Sequence, residues 1–163
     1  MNLSQLLAEL GNHMGLSNLR LNERGVCRLV FDQKLSVTIE LAQDGKTLIL
    51  YSLAGKVPDK AGASFLRMLL DASLFGRGTG GCISLAMESD DGEIYLQSLL
   101  PIDKLDGITL AGVLEDLVNS AENWHQRFET NDFPSFEDSP EAAGEPAAAS
   151  PSPYPADTFF VRP

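Results

Sequence analysis

Cysteine and histidine, the side chains that most often bind metals or act in catalysis, are scarce in this sequence. Its 163 residues contain two cysteines, Cys27 and Cys82, and two histidines, His13 and His125. Neither histidine has a cysteine or another histidine at the spacing of a zinc site, and no Gly-x-Ser-x-Gly elbow or zinc-protease motif occurs. The sequence therefore predicts no metal, no cofactor and no catalytic residue. A cysteine–histidine pair brought together by folding stays open, because such pairs are not local in sequence.

Basic residues are also few. The chain has 12 Lys and Arg against 23 Asp and Glu, which gives a net charge of −11 and a pI near 4.4. Nucleic-acid phosphates and anionic membrane surfaces both require clusters of positive charge. The composition thus argues against both as partners, and it is compatible with a basic partner segment.

Long apolar runs are missing as well. No run reaches the 18 residues that a membrane span needs, and the first residues lack the basic and apolar regions of a signal peptide. Both cysteines lie in apolar strand patterns, where a reduced thiol behaves as a small buried hydrophobe. We therefore expect a cytoplasmic protein with two buried, unpaired cysteines.

The first half of the chain shows a helical pattern followed by three strand patterns. Apolar residues recur at helical spacing over residues 2–14, where Asn2 can cap the start and Gly11 or Gly15 can end the helix. Strands are predicted over residues 26–31, 35–41 and 47–53. The second alternates strictly, which predicts one buried face, and Asp44-Gly45 is a strong hairpin signal.

The second half begins with an unusually apolar helix. We expect it to start at Pro58, which suits a first helical turn, and to run to about Phe75. Because apolar side chains surround it, we expect cover on several sides, one of them another subunit. Strands follow over residues 82–88 and 94–100, and Thr109 is expected to cap a last helix. The inward stripe of that helix is predicted to be Leu110, Val113, Leu114, Leu117, Val118, Ala121, Trp124 and Phe128.

The composition changes after residue 130. Seven of the nine prolines lie beyond it, with six acidic residues and one arginine, and such a segment cannot bury enough apolar surface to fold alone. The prediction is therefore an α+β domain over residues 1–130, in the order α-β-β-β-α-β-β-α with a twisted antiparallel sheet, and an acidic flexible tail over residues 131–163. Phe159-Phe160-Val161 could dock on an apolar groove.

Two segments imitate ligand-binding loops. Gly76-Arg77-Gly78-Thr79-Gly80-Gly81 is rich in glycine, but it follows a helix and precedes a strand, the reverse of a phosphate loop. Ser89-Asp90-Asp91-Gly92 lacks the spacing of a calcium loop. We interpret the first as a connector and the second as a hairpin turn.

Four short pieces of the chain, together with the order of its elements, resemble the class I type III secretion chaperones, the Tir-chaperone-like family. They are Leu48-Ile49-Leu50-Tyr51-Ser52-Leu53-Ala54-Gly55-Lys56-Val57-Pro58, Leu69-Leu70-Asp71-Ala72-Ser73-Leu74-Phe75, Gly78-Thr79-Gly80-Gly81 and Ala121-Glu122-Asn123-Trp124. Ser73 stands where the family more often has Asn. The resemblance covers roughly residues 1–130 and leaves the tail aside.

The resemblance implies a bacterial, cytoplasmic homodimer that binds the N-terminal segment of a secreted effector without catalysis and keeps it fit for secretion. Components of the secretion apparatus are further expected partners. Carried over by position, the effector-binding residues are Leu3, Leu6, Leu7, Leu10, Val37, Ile39, Leu48 and Leu50. The dimer interface is expected to comprise Phe65, Leu66, Met68, Leu69, Leu85 and Tyr95. Ordinary core burial is an equally valid interpretation of each of these residues.

Two alternatives remain at this stage. One is a regulatory member of the same family that binds a transcriptional control protein through the same surfaces. The other is a small α+β ligand-binding or enzymatic domain, which would need a concave pocket with converging polar groups. Few polar residues occupy inward positions, so the second alternative is the weaker one.

Overall fold

The computed structural model describes residues 2–59 and 61–133, and these form three helices and five strands. The order is α1 (Leu3–Met14), β1 (Val26–Phe31), β2 (Leu35–Leu41), β3 (Thr47–Lys56), α2 (Ala63–Ser73), β4 (Ser84–Met87), β5 (Glu93–Pro101) and α3 (Gly107–Thr130). A short 3-10 turn follows α2 and another follows β5. The predicted α+β class and element order are confirmed. Phe159-Phe160-Val161 lies outside the described residues.

The sheet is antiparallel throughout, with strand order β1-β2-β3-β5-β4. Its inner face packs against α1 and α3, and the strictly alternating residues of β2 behave as predicted, with Val37 and Ile39 fully buried. The strands β1 and β4 form the two edges of the described sheet. Ser73 Oγ accepts a hydrogen bond from the Leu85 N–H at 2.9 Å, so α2 caps part of the β4 edge.

Helix α1 is held at both ends and along its buried face. The Asn2 side chain accepts a hydrogen bond from the Gln5 N–H at 2.8 Å, and the Gln5 side chain accepts one from the Asn2 N–H. The helix ends at Gly15, whose φ of +69° is the left-handed conformation that favours glycine. Glu9 accepts a hydrogen bond from the Gly107 N–H at 3.0 Å, which joins α1 to the start of α3.

Helix α3 begins earlier than predicted. Its cap is Asp106, which accepts a hydrogen bond from the Thr109 N–H at 2.7 Å, so Thr109 lies inside the first turn. Most of the predicted inward stripe is buried, including Leu110, Leu117 and Trp124. Trp124 Nε1 donates a hydrogen bond to the Gly78 carbonyl at 2.9 Å, and this fixes the glycine-rich connector against α3.

Helix α2 differs most from its prediction. It starts at Ala63, with Gly62 as the capping residue, because β3 continues to Lys56 and the chain needs the following residues to turn. Phe65 and Leu69 are its buried residues. Cys82 is also exposed, contrary to expectation, since β4 begins only at Ser84.

Gly55 marks the tightest contact between the sheet and α3. A Cβ at this position would lie 2.3 Å from Phe128 Cγ, whereas a Cβ at Gly112, in the exposed part of α3, would meet nothing within 4 Å. We expect Gly55→Ala to lower the free energy of unfolding by about 1–3 kcal/mol through overpacking. Gly112→Ala should raise it by about 1 kcal/mol, because alanine is the better helix former.

Urea unfolding at one fixed protein concentration measures both values. Both substitutions add one methyl group, at Gly55 in a strand against the Phe128 ring and at Gly112 in an open part of a helix. Equal stability of the two variants would contradict the contact between Gly55 and Phe128.

Candidate partner-binding surfaces

An apolar groove lies between α2 and the edge strand β4. It has a volume of about 240 Å³ and is lined by Leu66, Leu69, Leu70, Leu85, Ala86 and Met87. Leu70 is 72% exposed and Met87 is 48% exposed. Leucine and methionine side chains left in water at one site indicate a contact surface, because a soluble monomer rarely exposes grouped apolar residues.

Phe75 extends this surface beyond the end of α2. Its backbone is left-handed, with φ 55° and ψ 25°, and its side chain is 87% exposed. This backbone conformation is sterically unfavourable for a bulky residue. The Arg77 guanidinium lies 5.8 Å from the ring centroid. The loop therefore holds an aromatic ring outward in water at a cost in backbone energy.

The outer face of the sheet carries a second group of uncovered apolar side chains. Ile49 lies opposite Leu99 and Leu53 lies opposite Tyr95 across the β3–β5 pair. Leu99 is 56% exposed, and Leu53 is 43% exposed. The outer face of an antiparallel sheet is normally polar, so these residues indicate a face that is covered in the working protein.

Two tyrosines at the centre of this outer face have restrained rings. The Tyr51 and Tyr95 rings are T-shaped, with centroids 6.0 Å apart. The Tyr51 hydroxyl donates to Glu40 at 3.1 Å, and the Tyr95 hydroxyl donates to Glu93. Burial, followed by the contact with Glu40, raises the pKa of Tyr51. The hydrogen bond to Glu93 is the main cause that raises the pKa of Tyr95 to about 12.

The residues predicted to bind an effector lie mostly in the core of the domain. Leu6, Leu10, Val37, Ile39, Leu48 and Leu50 are 0% exposed and Leu7 is 2% exposed, while Leu3 is partly buried. In a single copy the domain's own helices and sheet cover these residues, and their role in effector binding stays a prediction. The periodicity identified the correct faces of α1, β2 and β3, but those faces point toward one another.

Three of the six residues predicted to form the dimer interface lie at the groove, and the other three lie elsewhere. Leu66, Leu69 and Leu85 line the α2–β4 groove, whereas Phe65 faces the core and contacts Phe128 at 6.3 Å between ring centroids. Met68 is partly buried and lies 3.8 Å from an Arg127 nitrogen. Tyr95 belongs to the outer sheet face. An interface at the groove stays a prediction for three of the six residues.

Sequence reasoning missed Leu70, Phe75, Leu53 and Leu99 as surface residues. The signal for Leu99 was present, because β5 alternates and Leu96, Ser98 and Leu100 share the buried face. Phe75 carried no such signal, since nothing in the sequence indicates its left-handed backbone.

Side chains that could bind a metal ion do not cluster in the part of the chain that the structure describes. No three His, Cys, Asp or Glu side chains of residues 2–59 and 61–133 converge to hold a metal ion. His125 pairs with Glu129 at 3.3 Å on the exposed side of α3. In the same residues, no helix is long and apolar enough to cross a membrane.

The family model of the Tir chaperone protein (CesT) family matches residues 5–125, which is most of the folded domain. The chain belongs to this family. The resemblance stated from the sequence is thereby confirmed, and so is the expectation of a chaperone rather than an enzyme.

Solved structures of related complexes share this fold. The Yersinia pestis type III secretion chaperone SycH, in complex with a stable fragment of YscM2, is 31% identical, with a TM-score of 0.60 and coverage of 74% of this chain and 98% of that chain. ExsC in the ExsC–ExsE complex is 25% identical, with a TM-score of 0.61 and coverage of 77% and 96%. No curated protein sequence matches the chain.

The contact between Tyr95 and Glu93 predicts a measurable titration. Because the pKa of Tyr95 is raised to about 12 from its ordinary value of 10.0, its contribution to stability is complete below pH 10 and is lost as the pH rises toward 12. Glu93→Gln should lower the pKa of Tyr95, because it removes the negative charge that accepts a hydrogen bond from the hydroxyl. Ultraviolet absorbance of tyrosinate, with Tyr95→Phe to assign the signal, measures both. An unchanged titration in Glu93→Gln would contradict the contact.

Proposed function

We propose that this member of the CesT family works as a homodimer in the bacterial cytoplasm, where it binds an extended segment near the N-terminus of a secreted effector and keeps it fit for secretion. The observation that carries the proposal is the pair of uncovered apolar surfaces, one beside β4 and one on the outer sheet face. The related complexes of SycH with YscM2 and of ExsC with ExsE support a protein partner.

The groove between α2 and β4 suits the contact between two copies of the chain. It lies at a sheet edge, where a two-fold axis can place the same groove and the same protruding Phe75 against each other. A second copy would cover Leu70, Met87 and Phe75 together. The strained backbone at Phe75 would then be offset by burial of its ring in the partner copy.

The outer sheet face and the β1 edge suit an extended peptide. Apolar side chains at alternate positions of a peptide can cover Ile49, Leu53 and Leu99, while its backbone pairs with a free strand. The β1 edge is the more open of the two, because Ser73 already caps part of β4. Ordering an extended segment has a high entropic cost, so a large contact area is needed.

Capture of the natural partner tests the proposal directly. The tagged full chain is purified from its native cells, the bound proteins are identified by mass spectrometry, and limited proteolysis maps the protected segment. We expect one dominant partner protected near its N-terminus. A transcriptional control protein in its place would support the regulatory member of the family, and the absence of any stoichiometric partner would contradict both.

The dimer contact predicts a specific loss of association. Leu70→Asp combined with Met87→Asp places two charges in the α2–β4 groove, and we expect a dimer of twice 17.6 kDa to become a monomer because burying an unpaired charge is strongly unfavourable. Native mass spectrometry measures the change. Ile108→Asp is the matched control, since Ile108 is 70% exposed but lies at the start of α3. A dimer that survives the double substitution would locate the interface elsewhere.

The peptide contact predicts a loss of partner binding without loss of the dimer. Leu53→Asp combined with Leu99→Asp should weaken capture of the partner at least about tenfold, the factor that corresponds to 1.4 kcal/mol. Leu16→Asp is the matched control, because Leu16 is 41% exposed in the loop after α1. Binding that is unchanged in a folded, dimeric double variant would exclude the outer sheet face.

A further inference from the structure

A cluster of positive charge lies at the start of β1, at the sheet edge that the proposed effector peptide would also use. It forms an open groove of about 860 Å³ lined by Arg20, Leu21, Asn22, Glu23, Arg24, Val26, Cys27 and Arg28, which we name the arginine groove. Its three arginines are exposed. Since the chain has only 12 basic residues and a net charge of −11, a concentration of three arginines at one site is unusual.

Within the part of the chain that the structure describes, the arginines of this groove form no ion pair. In residues 2–59 and 61–133, ion pairs involve Arg77 with Asp71 and His125 with Glu129, and neither pair is near the groove. Glu23 is the one acidic residue in its lining. The groove therefore presents an excess of positive charge to solvent, and an anionic segment is the complementary occupant.

The loop that carries these arginines is well defined. Asn22 Oδ1 accepts hydrogen bonds from the Arg24 N–H at 2.9 Å and the Val26 N–H at 3.1 Å. The Asn22 N–H donates to the Val26 carbonyl at 2.9 Å. Gly25 has a φ of +75°, which lets the chain turn tightly into β1. The backbone that carries Arg24 is thus fixed next to the start of β1.

The acidic segment 137–145 of this chain has the charge that the groove lacks. Glu137, Asp138, Glu141 and Glu145 stand there without any basic residue between them. The segment belongs to the same chain as the groove, so the contact is intramolecular and gains an effective concentration that a separate peptide lacks. Several weak ion pairs can therefore form together, although a single exposed pair contributes little.

The length of the connection permits the contact. The tail leaves the domain after α3, whose Phe128 contacts Gly55 near the end of β3. The groove lies beside Val26, which pairs with Glu40, and Glu40 in turn pairs with Ile49 near the start of β3. Six residues along β3 and two strand spacings separate these points, which corresponds to roughly 20–30 Å. Twelve residues from Phe133 to Glu145 span up to about 40 Å.

We propose that the acidic segment 137–145 binds the arginine groove of its own chain. Bound there, it covers the end of the β1 edge. The contact is electrostatic, so it forms at low ionic strength and is lost in concentrated salt, where the Debye length falls to about 3 Å at 1 M. This proposal concerns the free chain and does not rest on the function proposed above, although the segment and an effector peptide would both meet the β1 edge.

Amide chemical shifts of the full-length protein, labelled with ¹⁵N, test the contact. Glu141→Lys combined with Glu145→Lys is compared with the wild-type chain at about 0.02 M salt, where screening is weak. We expect the shift changes inside the folded domain to be concentrated at residues 20–28. The same residues should shift when the wild-type chain is moved to about 1 M salt, and the variant should respond several-fold less.

A matched control separates the contact from a general change of charge. Asp90→Lys combined with Asp91→Lys alters the net charge by the same four units, in the turn between β4 and β5, and should leave residues 20–28 unchanged. Arg20→Glu combined with Arg24→Glu should abolish the change of amide shifts with salt at residues 20–28. Adding Glu141→Lys and Glu145→Lys to this variant should restore that change, because the two charges are then exchanged. The proposal would be overturned if the tail substitutions left the amide shifts of residues 20–28 unchanged, or if the Asp90→Lys and Asp91→Lys control moved them equally. It would also be overturned if these residues responded only to an added acidic peptide.

Discussion

The sheet of this protein is covered by helices on one face only, and most of its other features depend on that fact. Helices α1 and α3 bury Val37, Ile39, Leu50 and their neighbours completely. The opposite face then has no layer of its own to cover Leu53 and Leu99. A two-layer domain is stable with one buried sheet face, so the apolar residues of the second face are not needed for folding. They are available for contact with another chain.

The connection between α2 and β4 leaves the α2–β4 groove uncovered, as the one-sided helix layer leaves the outer sheet face uncovered. Trp124 holds Gly78 against α3, and Ser73 ties the end of α2 to β4. These two anchors place α2 beside the sheet edge with only Phe65 and Leu69 facing inward. Leu66, Leu70 and Phe75 must therefore face solvent in a single copy. The apolar character of α2, one side of which was expected to meet another subunit, is explained by burial between chains in the proposed dimer.

The sequence predicted the architecture well because hydrophobic periodicity reports which side chains share a face. It predicted all three helices and five strands, and the Asn2 cap followed from local chemistry. It did not separate core residues from effector contacts, because periodicity does not say what covers a face. Leu6 and Val37 were assigned to a groove, yet they pack into the same core. Phe75 could not be foreseen either, since its exposure results from a left-handed backbone that depends on how α2 is anchored.

The chain is acidic as a whole, but three of its 12 basic residues lie together at one site. Uniform negative charge would repel an acidic segment from every part of the domain, so only a local excess of positive charge can hold one. The arginine groove supplies that excess at the start of β1, an edge that also offers unpaired backbone groups to a partner strand. A segment that is attracted by charge alone binds weakly and exchanges rapidly. It can therefore protect an exposed strand edge from self-association and still yield to a partner that adds apolar burial and backbone hydrogen bonds.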